Sequence, residues 1–146
     1  MKIEHLGQHR PQHEQRLPCY LSAVPAGFPS PADDYMDSPL DLNTHLITHP
    51  AATFYCRVSG SSMQDLGIFD GDLLIVDRAI TPQQGHVVIA VVAGEMTCKQ
   101  LDLHHRRLLP ANPAFSPIVL TEGSSLVIEG VVIYSIRSHH VRPGRL

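Results

Sequence analysis

The chain has 146 residues, a formal net charge of -3 and three cysteines, and these values exclude several classes of protein. The length fits one domain with a sizeable core, and the mildly acidic balance argues against a dedicated nucleic-acid binder, which normally presents a basic face. No apolar run approaches the ~20 residues of a membrane span, and no leader pattern begins the chain. The three cysteines, Cys19, Cys56 and Cys98, form no Cys-x-x-Cys pair. We therefore expect a cytoplasmic protein with reduced thiols, no membrane contact and no cofactor.

Residues 1–48 differ in composition from the rest and are predicted to form an extended arm. Half of the chain's 12 prolines fall in this part. Prolines at this spacing oppose long helices and ladder pairing, so the arm is expected to have little core of its own. Residues 17–28 are apolar enough to lie in a groove, although a disordered tail is the simpler alternative for this composition.

Residues 49–146 are predicted to form an all-β domain, a curled and mostly antiparallel sheet. Apolar runs bounded by turn residues predict strands at 53–58, 72–77, 86–92, 95–103, 108–109, 118–120 and 125–137. Ala93-Gly94 is typical of a tight hairpin connection, and Gly130 indicates a bulge or bend in the longest strand. No stretch of helical periodicity is long enough for a βαβ unit, which disfavours a parallel sheet.

Ser62 is the candidate nucleophile, at the end of the stretch Ser-Gly-Ser-Ser-Met that occupies residues 59–63. It follows a predicted strand and a flexible Ser-Gly pair, and this position exposes a hydroxyl. The same turn leaves backbone N–H groups, those of Ser62 and Met63, available to stabilise an oxyanion. Taken alone this signal is weak, because most Gly/Ser turns after strands are structural.

Lys99 is the candidate base, since the only other lysine is Lys2. On a period of two it shares a predicted core face with Thr97, Leu101 and Leu103. Burial disfavours an ammonium, and a neutral amine can take a proton from a hydroxyl, so the lysine and the serine together fit a Ser–Lys dyad. An edge-strand lysine that reaches water is the structural alternative.

Other kinds of site are less well supported. A Ser-His-Asp triad would need His86 or the pair His104 and His105, and no motif places any of them near the serine. A zinc site at Cys98 and the histidine pair lacks the usual ligand spacing, and the thiol is predicted to face away from the lysine. We therefore predict no metal site. Asp70 is expected to cap a turn close to the serine loop.

Three stretches resemble the self-cleaving serine peptidase family of the LexA repressors and UmuD. They are residues 59–63 (Ser-Gly-Ser-Ser-Met), 70–77 (Asp-Gly-Asp-Leu-Leu-Ile-Val-Asp) and 97–101 (Thr-Cys-Lys-Gln-Leu). The resemblance to the UmuD-type members in particular lies in residues 27–35, 41–43, 112–118 and 130–133. The resemblance covers residues 17–137. A LexA-type repressor would carry a helix-turn-helix domain before the peptidase, and the proline-containing arm is not expected to hold one.

The resemblance implies a LexA-like fold of the β-clip type and self-cleavage of the arm. By this likeness Ser62 attacks the Ala26-Gly27 bond and Lys99 is the base; UmuD-type members carry cysteine before the glycine, whereas this chain carries alanine, as LexA does. It also implies stimulation by the RecA–single-stranded DNA filament in the SOS response, and a homodimer. The processed form would join a UmuC-like Y-family polymerase in error-prone translesion synthesis, without sequence-specific DNA binding of its own. The alternative is a non-catalytic, β-rich interaction module of the replication and repair machinery.

Overall fold

The computed structural model describes residues 1–8, 14–20 and 36–140, and almost all of their regular structure is β-strand. In chain order the strands are β1 (Lys2–Gln8), β2 (Arg16–Tyr20), β3 (Met36–Asp41), β4 (Thr53–Ser59), β5 (Leu73–Asp77), β6 (Val87–Val92), β7 (Glu95–Asp102), β8 (Arg107–Leu109), β9 (Ile118–Val119) and β10 (Leu126–Ile136). The helical elements of these ranges are α1 (Leu42–Leu46) and two 3-10 turns, Pro50–Ala52 and Gln64–Leu66. The predicted all-β class is confirmed. No helix in the described ranges has the length and apolar character needed to cross a membrane.

The contacts divide the chain into two compact units. One unit consists of Met1–His9 with Ala51–Leu146, and the other is Arg10–Pro50. Within the first unit the described strands form one eight-stranded sheet in the order β1-β4-β5-β10-β6-β7-β8-β9, with every pair antiparallel. The curled antiparallel sheet is therefore as predicted, and the hairpin between β6 and β7 turns at Ala93-Gly94 with both residues at positive φ.

The longest strand, β10, joins the two halves of this sheet. Its C-terminal half pairs with β5, and its N-terminal half pairs with β6. The register with β6 shifts between Ile128 and Gly130, which confirms the predicted bulge. A Cβ at Gly130 would lie 2.7 Å from a methyl group of Val76, so this crossing requires glycine.

Both faces of the central strands are buried, because the sheet curls over two apolar clusters. β6 contributes Ile89 to one cluster and Val88 to the other, as the two-residue alternation of a strand requires. On β7, Cys98 lies in the first cluster and Leu101 in the second, which confirms that the thiol faces away from the lysine side. Leu103 was expected on the buried face, and this expectation is wrong: β7 ends at Asp102, and the Leu103 side chain is exposed in the following turn.

The second unit pairs β2 with β3, so the expectation that the prolines prevent ladder pairing is wrong. The register shifts between Leu17 and Cys19, which places Pro18 at an irregularity where no ladder N–H is needed. Asp41 then caps α1, since its carboxylate accepts from the Thr44 N–H at 2.9 Å. β1 is a further strand that sequence reasoning did not predict.

An ion pair between the exposed Arg137 and the buried Asp72 ties the residue after β10 to the loop that follows the serine. Arg137 donates from Nε and Nη2 to the two carboxylate oxygens of Asp72, at 2.9 and 2.8 Å. Burial by itself would raise the pKa of Asp72, but the hydrogen bonds from Arg137 and from the Phe69 N–H outweigh it, so the pKa is lowered. The guanidinium also donates to the Gly67 carbonyl and lies over the Phe69 ring. One arginine thus holds most of the loop 67–72.

We expect Arg137→Gln to lower the free energy of unfolding at pH 7, because it removes the cation that hydrogen-bonds to the buried Asp72 carboxylate. The loss should shrink below about pH 4: a carboxyl with a lowered native pKa stabilises the fold above its unfolded pKa and stops doing so as it protonates. Denaturant unfolding of both proteins at pH 7 and at pH 3 measures this.

The control is Arg57→Gln, since Arg57 is exposed and donates only to a backbone carbonyl of the same loop, that of Gly71. That variant should lose under about 1 kcal/mol. Equal losses in the two variants would contradict a role for the ion pair.

Candidate active site

Ser62 lies in the loop between β4 and the 3-10 turn Gln64–Leu66, and its side chain is fully buried. The expectation of an exposed hydroxyl is wrong, because the loop packs against the sheet with Met63 in an apolar cluster. The chain turns at Gly60, whose φ of 95° is in the left-handed region that favours glycine. The Gly60 N–H donates to Oδ1 of Asp70 at 2.7 Å, which confirms the expectation that Asp70 is close to the serine loop.

A second loop, which contains Ala111 and Asn112, holds the other side of the serine loop. The Ala111 N–H donates to the Ser62 carbonyl at 2.7 Å, and Asn112 Nδ2 donates to the Ser61 carbonyl at 2.9 Å. The Ser61 carbonyl also accepts from the Gln64 N–H at 3.3 Å. With these carbonyls bound, the orientation of the peptide planes around the serine is fixed.

Lys99 lies in β7 opposite Val88, and its amine reaches the serine across 37 positions of sequence. Its Nζ is 3.1 Å from Ser62 Oγ, 2.9 Å from Thr97 Oγ1 and 3.0 Å from the Cys98 carbonyl oxygen. Only 5% of the lysine is exposed. The structure therefore brings together the two residues that the sequence singled out, and Thr97 lies on the predicted shared face.

Burial lowers the pKa of Lys99 below its ordinary value, and the Cys98 thiol opposes this shift only in part. Burial also raises the pKa of Cys98 to about 12, so this thiol is uncharged near neutral pH and is not a counter-ion for an ammonium. A neutral amine has two N–H donors and one lone pair. The Cys98 carbonyl and the Thr97 hydroxyl suit the donors, which leaves the lone pair for the O–H of Ser62.

The histidines of the rival sites contact their own turns. His86 Nδ1 accepts from the Gln83 N–H at 3.2 Å, and the largely exposed His105 ring lies 3.0 Å from Asp102 Oδ2. Across residues 1–8, 14–20 and 36–140, no three His, Cys, Asp or Glu side chains gather as a metal site.

Some candidate positions were missed or cannot be placed. The scissile bond expected between Ala26 and Gly27 lies outside the described residues. The contribution of Ala111 and Asn112 was not predicted: Asn-Pro at 112–113 indicated a loop, and nothing in one sequence connects that loop with residues 50 positions earlier. The Ser62 and Met63 amides, proposed for an oxyanion, donate to no acceptor within the described part of the chain.

Comparison with known proteins gives one family and several relatives. A family profile described as Peptidase S24-like matches residues 18–133. SamA of Salmonella typhimurium is 49% identical over 120 residues, which cover 82% of this chain and 84% of SamA. MucA of Escherichia coli is 40% identical over 143 residues, 97% of this chain and 98% of MucA. The LexA repressor of Acidithiobacillus ferrooxidans is 41% identical over 131 residues, 86% of this chain and 63% of the repressor. The resemblance read from the sequence is confirmed, and the chain belongs to the Peptidase S24-like family.

Proposed function

We propose that this protein is a serine peptidase that cuts its own chain between Ala26 and Gly27, with Ser62 as nucleophile and Lys99 as general base. The observation that carries the proposal is the 3.1 Å separation of Lys99 Nζ from Ser62 Oγ inside a buried site. Membership of a peptidase family supports it, and so does the lowered pKa of the lysine.

The reaction follows from this geometry in two stages. Ser62 Oγ bonds to the Ala26 carbonyl carbon while Lys99 takes the hydroxyl proton. The tetrahedral intermediate then breaks its C–N bond, and the lysine ammonium gives the proton to the Gly27 amine as it leaves. Water, deprotonated by the same amine, hydrolyses the ester and restores the serine. Thr97 keeps the amine directed at the serine throughout.

The negative charge that develops on the Ala26 carbonyl oxygen needs donors that are already in place. We assign this role to the backbone N–H groups of Ser62 and Met63. The support for this is that the loop is held through its carbonyls by Ala111 and Asn112, on a different set of backbone atoms. Fixed donors in a buried, low-dielectric site stabilise an oxyanion far better than water does.

A substrate attached to its own enzyme has a high effective concentration, so the reaction must be restrained. We propose that the RecA–single-stranded DNA filament releases this restraint in the SOS response, by favouring the conformation in which the arm is docked. The processed chain, a cytoplasmic homodimer, would then serve a UmuC-like Y-family polymerase in translesion synthesis. The likeness of residues 27–35 and 112–118 to UmuD-type proteins supports this assignment.

The test is incubation of the purified full chain at pH 10, followed by mass spectrometry. We expect fragments 1–26 and 27–146 from the parent, and neither fragment from Ser62→Ala or Lys99→Ala. Loss of the fragments in both variants separates self-cleavage from a contaminating protease. A parent chain that stays intact would leave the non-catalytic interaction module as the function.

Asn112→Asp is expected to slow self-cleavage about tenfold, because a carboxylate cannot donate to the Ser61 carbonyl and the serine loop loses its alignment. The acceptor that Asn112 presents to the Ala114 N–H is kept, so the free energy of unfolding should change by under about 1 kcal/mol. Cleavage rate and denaturation midpoint are measured together. Asn43→Asp makes the same change at an exposed position in α1 and should alter neither. A normal rate in Asn112→Asp would show that the Ala111 contact alone aligns the loop.

A further inference from the structure

β1 lies between the two strands that deliver the candidate catalytic side chains. It pairs with β4 from Lys2 opposite Ser59 to Gln8 opposite Phe54, and it also runs beside β7. β4 leads directly into the serine loop, and β7 carries Lys99. β1 therefore lies beside both the strand that leads to the serine and the strand that carries the lysine.

The first residues of the chain dock there as an amphipathic strand. Met1 and Ile3 are partly buried against the apolar cluster that contains Met63, while Lys2 and Glu4 are exposed. Met1 also abuts the serine loop itself, since its Cα lies 3.4 Å from the position of a Cβ on Gly60. This alternation is typical of a half-buried strand. It fixes the register of β1 on β4, because a shift by one residue would turn Met1 and Ile3 to the exposed face.

A peptide substrate needs the same space. Its scissile carbonyl must come within about 3.5 Å of Ser62 Oγ, and an extended peptide binds a sheet through an unpaired strand edge. One edge of β4 is paired with β5. The other edge, which runs towards the serine, is the one that β1 covers.

We propose that β1 is a built-in competitor of the substrate, which occupies the β4 edge beside the serine so that cleavage requires β1 to leave. The inference rests on the proposed self-cleavage and describes how its rate is restrained. β1 is suited to reversible release, because its anchoring side chains at Met1 and Ile3 are only partly buried and its register slips between His5 and Gly7. The fraction of molecules in which β1 has detached from β4 then sets the basal rate of self-cleavage.

Two variants test this in the full-length protein at alkaline pH. Ile3→Asn removes an apolar anchor of β1, and deletion of residues 2–8 removes the strand. Ile3→Asn should raise the self-cleavage rate about tenfold, the factor that corresponds to the loss of one partly buried isoleucine side chain. The deletion should raise the rate at least as much, because it removes the whole strand. Lys2→Asn introduces the same residue at the neighbouring exposed position and should cleave at the parent rate.

A second readout does not depend on catalysis. In a Ser62→Ala background, amide hydrogen exchange of β4 should become faster in Ile3→Asn and in the deletion, while protection of β6 and β10 stays unchanged. The protected central strands show that the variants are folded.

The outcomes separate the two proposals. Faster cleavage together with faster β4 exchange supports competition by β1. Cleavage of the parent with an equal or slower rate in both β1 variants overturns it and leaves the self-cleavage proposal intact. Absence of cleavage in every chain, the parent included, overturns the proposed function and the competition with it.

Discussion

Replacement of Lys99 by methionine is expected to reduce self-cleavage at least about a hundredfold while the chain remains folded. Methionine fills a similar volume in the buried site, but it offers no lone pair to the Ser62 hydroxyl, and a general base contributes roughly 10²–10⁴ to the rate. A time course by mass spectrometry measures the loss. Lys2→Met makes the same replacement at an exposed lysine and should cleave normally. A residual rate within tenfold of the parent would mean that another base serves the serine.

The same variant reports on the charge of the lysine through stability. Because the native pKa of Lys99 is lowered, the native state binds this proton less readily than the unfolded state does. The parent therefore gains stability relative to Lys99→Met as the pH rises from the native pKa to about 10.4, the unfolded value. Urea unfolding of both chains in a Ser62→Ala background, which prevents self-cleavage, should show this gain between pH 7 and pH 10. If the difference in unfolding free energy between the two proteins did not change with pH, the pKa of Lys99 would be the same in the native and the unfolded state.

The rate of self-cleavage in the absence of any stimulating partner is expected to rise about tenfold per pH unit below the native pKa of Lys99. It should level off below about pH 10.4, where the amine is already neutral, because burial has lowered that pKa. Rates from neutral to strongly alkaline pH, in buffers of matched ionic strength, give the profile.

The control for this profile is Lys2→Met, which should follow the parent curve, since the Lys2 side chain is exposed. A rate that does not change between pH 7 and pH 10 would contradict a lysine base. A pH-dependent rate that persists in Lys99→Met would indicate that a group other than the lysine is the base.

The strands after residue 50 were predictable because their signals are local. β5 is a run of apolar residues bounded by turns, and Ala93-Gly94 fixes the hairpin that carries Lys99. β1 was not predictable in the same way, because it pairs with a strand far along the chain, from Lys2 opposite Ser59 to Gln8 opposite Phe54. The β2–β3 pair was missed because a ladder can pass Pro18 at a register shift.

In the candidate site too, the features with a local sequence signal were predictable and those that depend on long-range contacts were not. Ser62 and Lys99 could be identified because one turn motif and one lysine stood out in the whole chain, and strand periodicity placed Thr97 beside the lysine. The support from Asn112 could not be predicted, since its hydrogen bond to Ser61 joins two loops without any local pattern. A single sequence shows which groups can react, but the contacts that position these groups depend on long-range packing.

The path of β10 has a consequence for this alignment. The nucleophile belongs to the half of the sheet formed by β4 and β5, and the base belongs to the half formed by β6 and β7; β10 hydrogen-bonds to both halves and bulges at Gly130 between them. One strand therefore connects the backbone that leads to the nucleophile with the backbone that carries the base. A larger residue at Gly130, which would clash with Val76, is expected to displace the two halves of the sheet and so the two catalytic side chains, without altering any reacting atom.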